Sequence, residues 1–230
     1  MRDLMTLLWT PAAPPRRGPR PTLTLETITA AGIAAADAEG LAAVTMQRVA
    51  EAVGVTKMAL YRYVPGKAEL VALMLDTAIG APPDPVPGAT WRATLDGWAR
   101  ALFTGFHAHP WALEAAVGAR VIGPNELSWL ETAVAALTDS GLHGSEKLDV
   151  AVLLTGHVRN LAQQVTAMPP GADPEQAMGL QALLAGREER FPAVAAALES
   201  TGGDRALDFG LARILDGVGV LIAERITRPT

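Results

Sequence analysis

Thr24, Thr45 and Thr56 divide the first eighty residues, and each stands just after one hydrophobic residue and four before another. The flanking pairs are Leu23 with Ile28, Val44 with Val49, and Val55 with Leu60. A threonine so placed accepts a hydrogen bond from the open amides of a helix's first turn, and the apolar pair fixes the angle at which the chain enters. The spacing predicts helices over about Leu25–Ala38, Met46–Val53 and Lys57–Val64, with a fourth, Lys67–Ile79, opened by Gly66. Gly40, Gly54 and Pro65-Gly66 interrupt the series. Only Gly54-Val55 separates the second and third helices before the Thr56 cap, the spacing of a helix-turn-helix. A plain helical hairpin needs the same turn and the same core, so the exposed face of the third helix has to decide between them.

On that helix Leu60 and Val64 point inward. Lys57 and Tyr61, four apart, share the outer face. Met58 and Arg62 lie beside them, and Ala59 and Tyr63 form the flank. Both tyrosines of the chain fall here. Cationic side chains meet phosphates or guanine edges, and phenols donate to phosphates while their rings cover sugars or thymine methyls. Such a face suits a DNA groove. Tyr63, near the helix end, equally fits a core residue with a wet tip.

The charge distribution agrees. Net charge is −5, yet residues 1–80 hold 8 Lys/Arg against 7 Asp/Glu, while residues 81–230 hold 11 against 17. The two regions therefore suit different partners. The proline-rich stretch Gly80–Thr90 separates them. Beyond it, helices are expected over Trp91–His107, Pro110–Ala119, Pro124–Ser140, Ser145–Ala167, Asp173–Leu184, Pro192–Ser200 and Asp204–Ile226, and no strand alternation appears. The fold class is all-α. The domains are a flexible N-terminal tail (1–21), a three-helix helix-turn-helix DNA-binding domain (22–80), a linker (81–90) and a larger helical domain (91–230). With no cysteine and four scattered histidines, no metal site is expected. No apolar run approaches the ~20 residues of a membrane span, and the N-terminus lacks the pattern of a secretory signal, so a cytoplasmic location is expected.

The segment LETITAAGIAAADAEGLAAVTMQRVAEAVGVTKMALYRYVPGKAEL resembles the DNA-binding domain of the TetR family of bacterial repressors over about Leu23–Ile79. ALYRYVPGKAELVALMLD resembles the tetracycline-repressor-like branch in particular. HAHPWALEAA, GPNELSWLETAVAAL and FGLARILDGVGVLI resemble its ligand-binding, dimerising half. The resemblance implies a homodimer whose two third helices enter successive major grooves of a palindromic double-stranded operator, ~34–36 Å apart. It places Gln47 and Arg48 beside a phosphate or base edge, with Thr45 capping their helix. It puts Thr56, Lys57, Met58 and Ala59 where base contact begins, and gives Tyr61, Tyr63 and Lys67 the backbone. Met58 and Ala59 offer only apolar contact. Arg62 stands where the family commonly has an aromatic or uncharged residue and adds a possible contact. Arg16, Arg17 and Arg20 fit either an arm into the minor groove or a solvated tail.

The family also implies repression relieved by a small molecule held in the second region. Trp98, Phe103, Phe106, Trp111 and Trp129 are the aromatic candidates for that site. His107, His157, Asn160, Gln163 and Gln164 are the polar ones, with at least two of these expected to line a cavity. The helices near 145–167 and 204–226 carry apolar faces and small residues that suit either a four-helix dimer interface or one subunit's core. No cofactor is implied. No catalytic residues are assigned, because the chain has no His-Glu-x-x-His, P-loop or Gly-x-Ser-x-Gly motif. An enzyme with another kind of site, or a helical binding or protein-interaction module without DNA, are the alternatives.

Overall fold

A computed structural model describes residues 4–10, 23–118, 120–166, 179–199 and 206–227. All regular structure among them is helical. The elements are α1 (Leu4–Trp9), α2 (Leu25–Glu39), a 3-10 turn (Leu41–Ala43), α3 (Met46–Ala52), α4 (Lys57–Leu60), α5 (Lys67–Ile79), α6 (Trp91–Ala108), α7 (Trp111–Ala115), α8 (Pro124–Ala135), α9 (Gly144–Thr166), α10 (Leu180–Leu184), α11 (Pro192–Glu199) and α12 (Ala206–Thr227).

The threonine caps form as their spacing requires. Thr24 accepts from Thr27 N at 3.2 Å and completes a capping box with it. Thr45 accepts from Arg48 N at 3.1 Å and Thr56 from Ala59 N at 3.2 Å. Between α3 and α4 the chain closes with two hydrogen bonds, Val55 N to Ala50 O at 2.9 Å and Gly54 N to Glu51 O at 3.1 Å. This paired C-cap needs a left-handed residue, and Gly54 supplies it at φ +70°. Ile28, Val44, Val49, Leu60, Val64, Leu70 and Met74 are fully buried and join α2, α3, α4 and α5 around one small core. Truncating one of the larger of these to alanine removes about 2–5 kcal/mol.

Several expected boundaries move. Helix α4 ends at Leu60 instead of Val64. Arg62 N and Tyr63 N bond three residues back, to Ala59 O and Leu60 O, so the last turn tightens before Pro65, which disfavours helical geometry in the residue ahead of it. Helix α7 covers only residues 111–115. Helix α8 stops at Ala135 rather than Ser140, where Thr138 and Ser140 turn their hydroxyls onto Ala135 O and Leu137 O. Helix α10 begins at Leu180, and residues 173–178 of the expected helix lie outside the described residues. Within the expected flexible tail, residues 4–9 instead form α1, which buries Leu7 and Leu8 and packs on α5. Trp9 Nε1 donates to Ile122 O at 3.1 Å. Arg16, Arg17 and Arg20 lie outside the described residues.

Helix α5 belongs to both halves. Its first turns hold Leu70 and Met74 in the N-terminal core, and its last turns pack on α6, α7 and α8. Helices α6, α8 and α12 in turn pack on α9, the long spine of the second half. Trp98, Leu102, Leu137, Leu154, Val158, Leu211 and Leu215 are buried there.

Candidate nucleic-acid interface and effector pocket

The α3–α4 unit presents its polar residues to solvent. Met58 is 76% exposed and Tyr61 38%. Lys57 and Arg62 are also exposed, and Lys57 Nζ stands 5.8 Å from the centre of the Tyr61 ring. The Arg62 side chain has no hydrogen bond or ion pair among the described residues, so its full charge faces outward. Thr45 and Thr56 are exposed at their helix starts, and Ala59 is half-buried. Tyr63 is half-buried and packs on the core, as a tyrosine near a helix end often does.

Three of the expected contacts are already engaged within the chain. Both terminal nitrogens of Arg48 reach the carboxylate of Glu39 at the end of α2. The Arg48 hydrogen bond and charge hold Glu39 below its ordinary pKa and raise that of Arg48. Gln47 Nε2 donates to Glu51 at 2.6 Å, and Lys67 Nζ donates to Leu41 O at 3.3 Å. The Arg48 and Lys67 bonds tie α3 to α2 and α5 to the 3-10 turn, and the Gln47 bond lies within α3. The unspent charge of the unit is therefore concentrated on Lys57 and Arg62.

The second half holds a partly open cavity of about 340 Å³. Trp98, Leu102 and Phe106 from α6, Trp129 and Leu130 from α8, and Ile79 at the end of α5 form its apolar walls. Trp98 and Trp129 meet edge to face, 5.7 Å between centres, and each indole N–H is anchored on a carbonyl: Trp98 to Trp129 O and Trp129 to Gly80 O, both at 2.9 Å. Helix α9 closes the opposite side with Ala151, Val152, Thr155, Gly156 and Arg159, residues one turn apart on one stripe. At one end Arg120 forks onto both oxygens of Glu126.

The pocket is joined to α5 by Asp76. One oxygen of this buried carboxylate accepts Asn125 N at 2.9 Å and Glu126 N at 3.2 Å, the open amides of α8's first turn. Asn125 Nδ2 returns a bond to Asp76 O at 2.9 Å. Gly123 makes the approach possible, since a Cβ there would overlap the carboxylate. Burial raises the Asp76 pKa, and the hydrogen bonds from Glu126 and Asn125 oppose it.

Of the sequence-predicted ligand residues, Trp98, Phe106 and Trp129 line the cavity. Trp111 is buried but donates to Asp37 on α2 at 2.6 Å, and Phe103 packs into the core elsewhere. None of the five polar candidates lines it. His107 is exposed, and Asn160, Gln163 and Gln164 lie on the exposed side of α9, where Gln164 donates to Asn160 at 2.7 Å. His157 is half-buried, and a Cβ on Gly210 of α12 would overlap its ring; its Nε2 is buried without a hydrogen-bond partner. The polar groups that do reach the cavity are Arg120, Glu126, Thr155 and Arg159. The Thr155–Arg159 spacing of four on an otherwise small-residue stripe was the available signal for the latter pair.

Two family models match the chain: "Bacterial regulatory proteins, tetR family" over residues 28–74 and "Tetracyclin repressor-like, C-terminal domain" over residues 84–222. The chain belongs to the TetR family. It is a helix-turn-helix transcriptional regulator with a ligand-binding type of C-terminal domain, and this family is not an enzyme class. The HTH-type transcriptional repressor DrrR1 of Streptomyces coeruleorubidus is 37% identical over 235 residues, covering 96% of this chain and 86% of that protein. Crystal structures of the TetR-family protein ActR from Streptomyces coelicolor are similar in fold. The apo form has a TM-score of 0.73 at 27% identity, covering 90% of this chain and 99% of ActR. The complex of ActR with actinorhodin has a TM-score of 0.72 at 27% identity, covering 86% and 96%. No helix among the described residues is long and apolar enough to cross a membrane.

Proposed function

We propose that this TetR-family regulator is a cytoplasmic homodimeric repressor that leaves a palindromic operator when a small, mostly aromatic effector fills the cavity between α6, α8 and α9. The observation that carries this reading is the double membership of α5. Leu70 and Met74 lock its start into the reading head. Its end supplies Ile79 to the cavity wall and Asp76 to the first turn of α8, whose Glu126 also faces the cavity. An occupant that displaces Glu126 or Ile79 therefore acts on the helix that carries α3 and α4. Differential affinity for two positions of α5 then lowers operator affinity, typically by about 5- to 150-fold.

The DNA contacts are assigned to Lys57, Tyr61 and Arg62, with Met58, Ala59 and Thr56 at the groove floor. Thr45, Gln47, Arg48, Tyr63 and Lys67 brace or flank them. Dimerisation is assigned to α9 and α12, whose outer faces leave Leu148, Leu153, Phe209 and Val220 exposed in the single subunit. Those faces are continuous with the spine that closes the cavity. Support for an aromatic occupant comes from the Trp98–Trp129 wall.

Gel-shift titration on the DNA upstream of the protein's own gene tests the reading. The dimer should bind one palindromic site with a steep loss of affinity as salt rises, and aromatic metabolites that raise its melting temperature should release it. Salt-insensitive binding, or thermal stabilisers that leave the complex intact, would contradict it.

A further inference from the structure

We infer that the effector is an aromatic acid whose ionised oxygen pairs with Arg159; this rests on the cavity being the effector site. The cavity's charged groups are Arg120, Glu126 and Arg159. Arg120 and Glu126 neutralise each other through two parallel hydrogen bonds. Glu126 is further committed through its backbone to Asp76. Arg159 has no such partner. Its one side-chain hydrogen bond among the described residues runs from Nη2 to Leu113 O at 3.3 Å. That contact steers the guanidinium without neutralising it.

Arg159 is half-buried, and the cavity surface to which it contributes is mostly apolar, with Phe106, Ala116, Ala151 and Val152 among its lining. A cation held against apolar surface is poorly solvated, and an anionic ligand offsets that cost with charge-assisted hydrogen bonds in a low-dielectric setting. Thr155, one turn before Arg159, spends its hydroxyl hydrogen on Ala151 O at 2.8 Å. Its oxygen is thereby left as an acceptor, which suits a ligand hydroxyl and repels a second anion. The geometry therefore describes a flat hydrophobic body against Trp98 and Trp129 with one acidic group directed at α9. A volume of about 340 Å³ admits a fused-ring molecule of this kind.

Isothermal titration with anthraquinone-2-carboxylate and with its neutral carboxamide tests this. The wild-type protein should bind the acid at least about tenfold more tightly, the worth of one charge-assisted hydrogen-bonded pair. Arg159→Gln should bring the ratio near one, and Arg159→Lys should keep part of it. Because the ratio is taken within one variant, partial unfolding cancels from it. Gly156→Leu, which fills the cavity, should abolish both. Equal affinities for the two probes, both lost in Gly156→Leu, would keep the cavity as the effector site and overturn the acid subsite. An acid preference that survives in Arg159→Gln would also overturn it. If neither probe binds, or Gly156→Leu binds both unchanged, the cavity reading falls and the inference falls with it.

Discussion

The indole of Trp111 donates to the carboxylate of Asp37 at 2.6 Å, fastening the corner between α6 and α7 to the side of α2. His109 Nδ1 lies 2.8 Å from the same oxygen, and its ring meets that of Trp111 edge to face. Together with the Asp76 bonds to α8 and the Trp129 bond to Gly80 O, this ties the reading head to the second half through α2 and through the end of α5. Trp111→Phe keeps the packing and removes one bond, so it should cost about 1 kcal/mol in a denaturant melt. Asp37→Ala strands two donors and should cost about 1–3 kcal/mol. Both should also shrink the ratio of operator affinities measured without and with effector. A large stability loss with an unchanged ratio would make this tie structural only.

At Asp76 the amide and alanine variants should diverge. Both α8 amides use the same carboxylate oxygen, and an asparagine oxygen can accept them equally. Asp76→Ala removes the cap and should destabilise by about 1–2 kcal/mol, whereas Asp76→Asn should be neutral or stabilising at neutral pH because it avoids burying a charge. The sign with pH follows from the raised pKa. The folded state holds this proton more tightly than the unfolded one. The carboxyl therefore favours the fold most below its unfolded pKa, and that contribution is lost as pH rises through the folded value. Asp76→Asn should flatten the stability curve across that acidic window, as thermal melts at a series of pH values would record.

What was legible in the sequence was local. Thr24, Thr45 and Thr56 mark helix starts because a cap and its staple lie within five residues. Gly54 marks the turn because only one backbone conformation closes it. Asn160, Gln163 and Gln164 do share one face of α9, as their spacing says, but spacing does not reveal which face meets a neighbour. That is decided by α6, α8 and α12, and the packing turned the amides to solvent and Thr155 and Arg159 to the cavity. Arg120 and Glu126 were hidden for the same reason. Glu126 sits in the first turn of α8, whose open amides are capped by Asp76, a residue far away in the sequence. Helix α1 falls inside the expected tail because nothing in its own six residues shows what they pack on, and α5 supplies that surface.

On the DNA-facing side, Lys57→Ala should lower operator affinity across related sequences and reduce the salt slope by about 1, as expected for a lost phosphate contact. Arg62→Ala should act similarly, since among the described residues nothing pairs with its side chain. Arg48→Ala should affect binding less, because Glu39 already holds that guanidinium. Fluorescence anisotropy over a range of salt concentrations separates the three. A slope unchanged by Lys57→Ala would place the groove contact elsewhere.

Helix α1 makes a prediction about dynamics. It lies on α5 and reaches the loop before α8 through the Trp9–Ile122 bond, so it links the lever to the pocket rim. Replacing Leu7 and Leu8 with serine should release it. Hydrogen exchange should then quicken in α5 and around residues 120–123, while α9 and α12 stay protected. Exchange that rises equally in α9 would mean that α1 supports the whole fold and not this junction.

The dimer face can be tested without disturbing the subunit core. Val220 is 61% exposed on α12, on the same outward stripe as Phe209. Val220→Asp therefore buries nothing within its own chain. At a two-fold apolar interface it would place unpaired carboxylates in a water-poor seam, and each symmetric contact doubles the cost. The dimer dissociation constant from sedimentation should rise at least about tenfold while the circular dichroism spectrum holds. Operator affinity should fall with it, because a single head reaches one half-site only. Gly210→Ala is the control in the opposite direction. The added methyl meets the His157 ring inside the subunit, so overpacking of about 1–3 kcal/mol outweighs the helix propensity gained, and melting temperature should drop. If Val220→Asp instead remained dimeric with full operator binding, the two-fold seam would have to lie away from this stripe of α12.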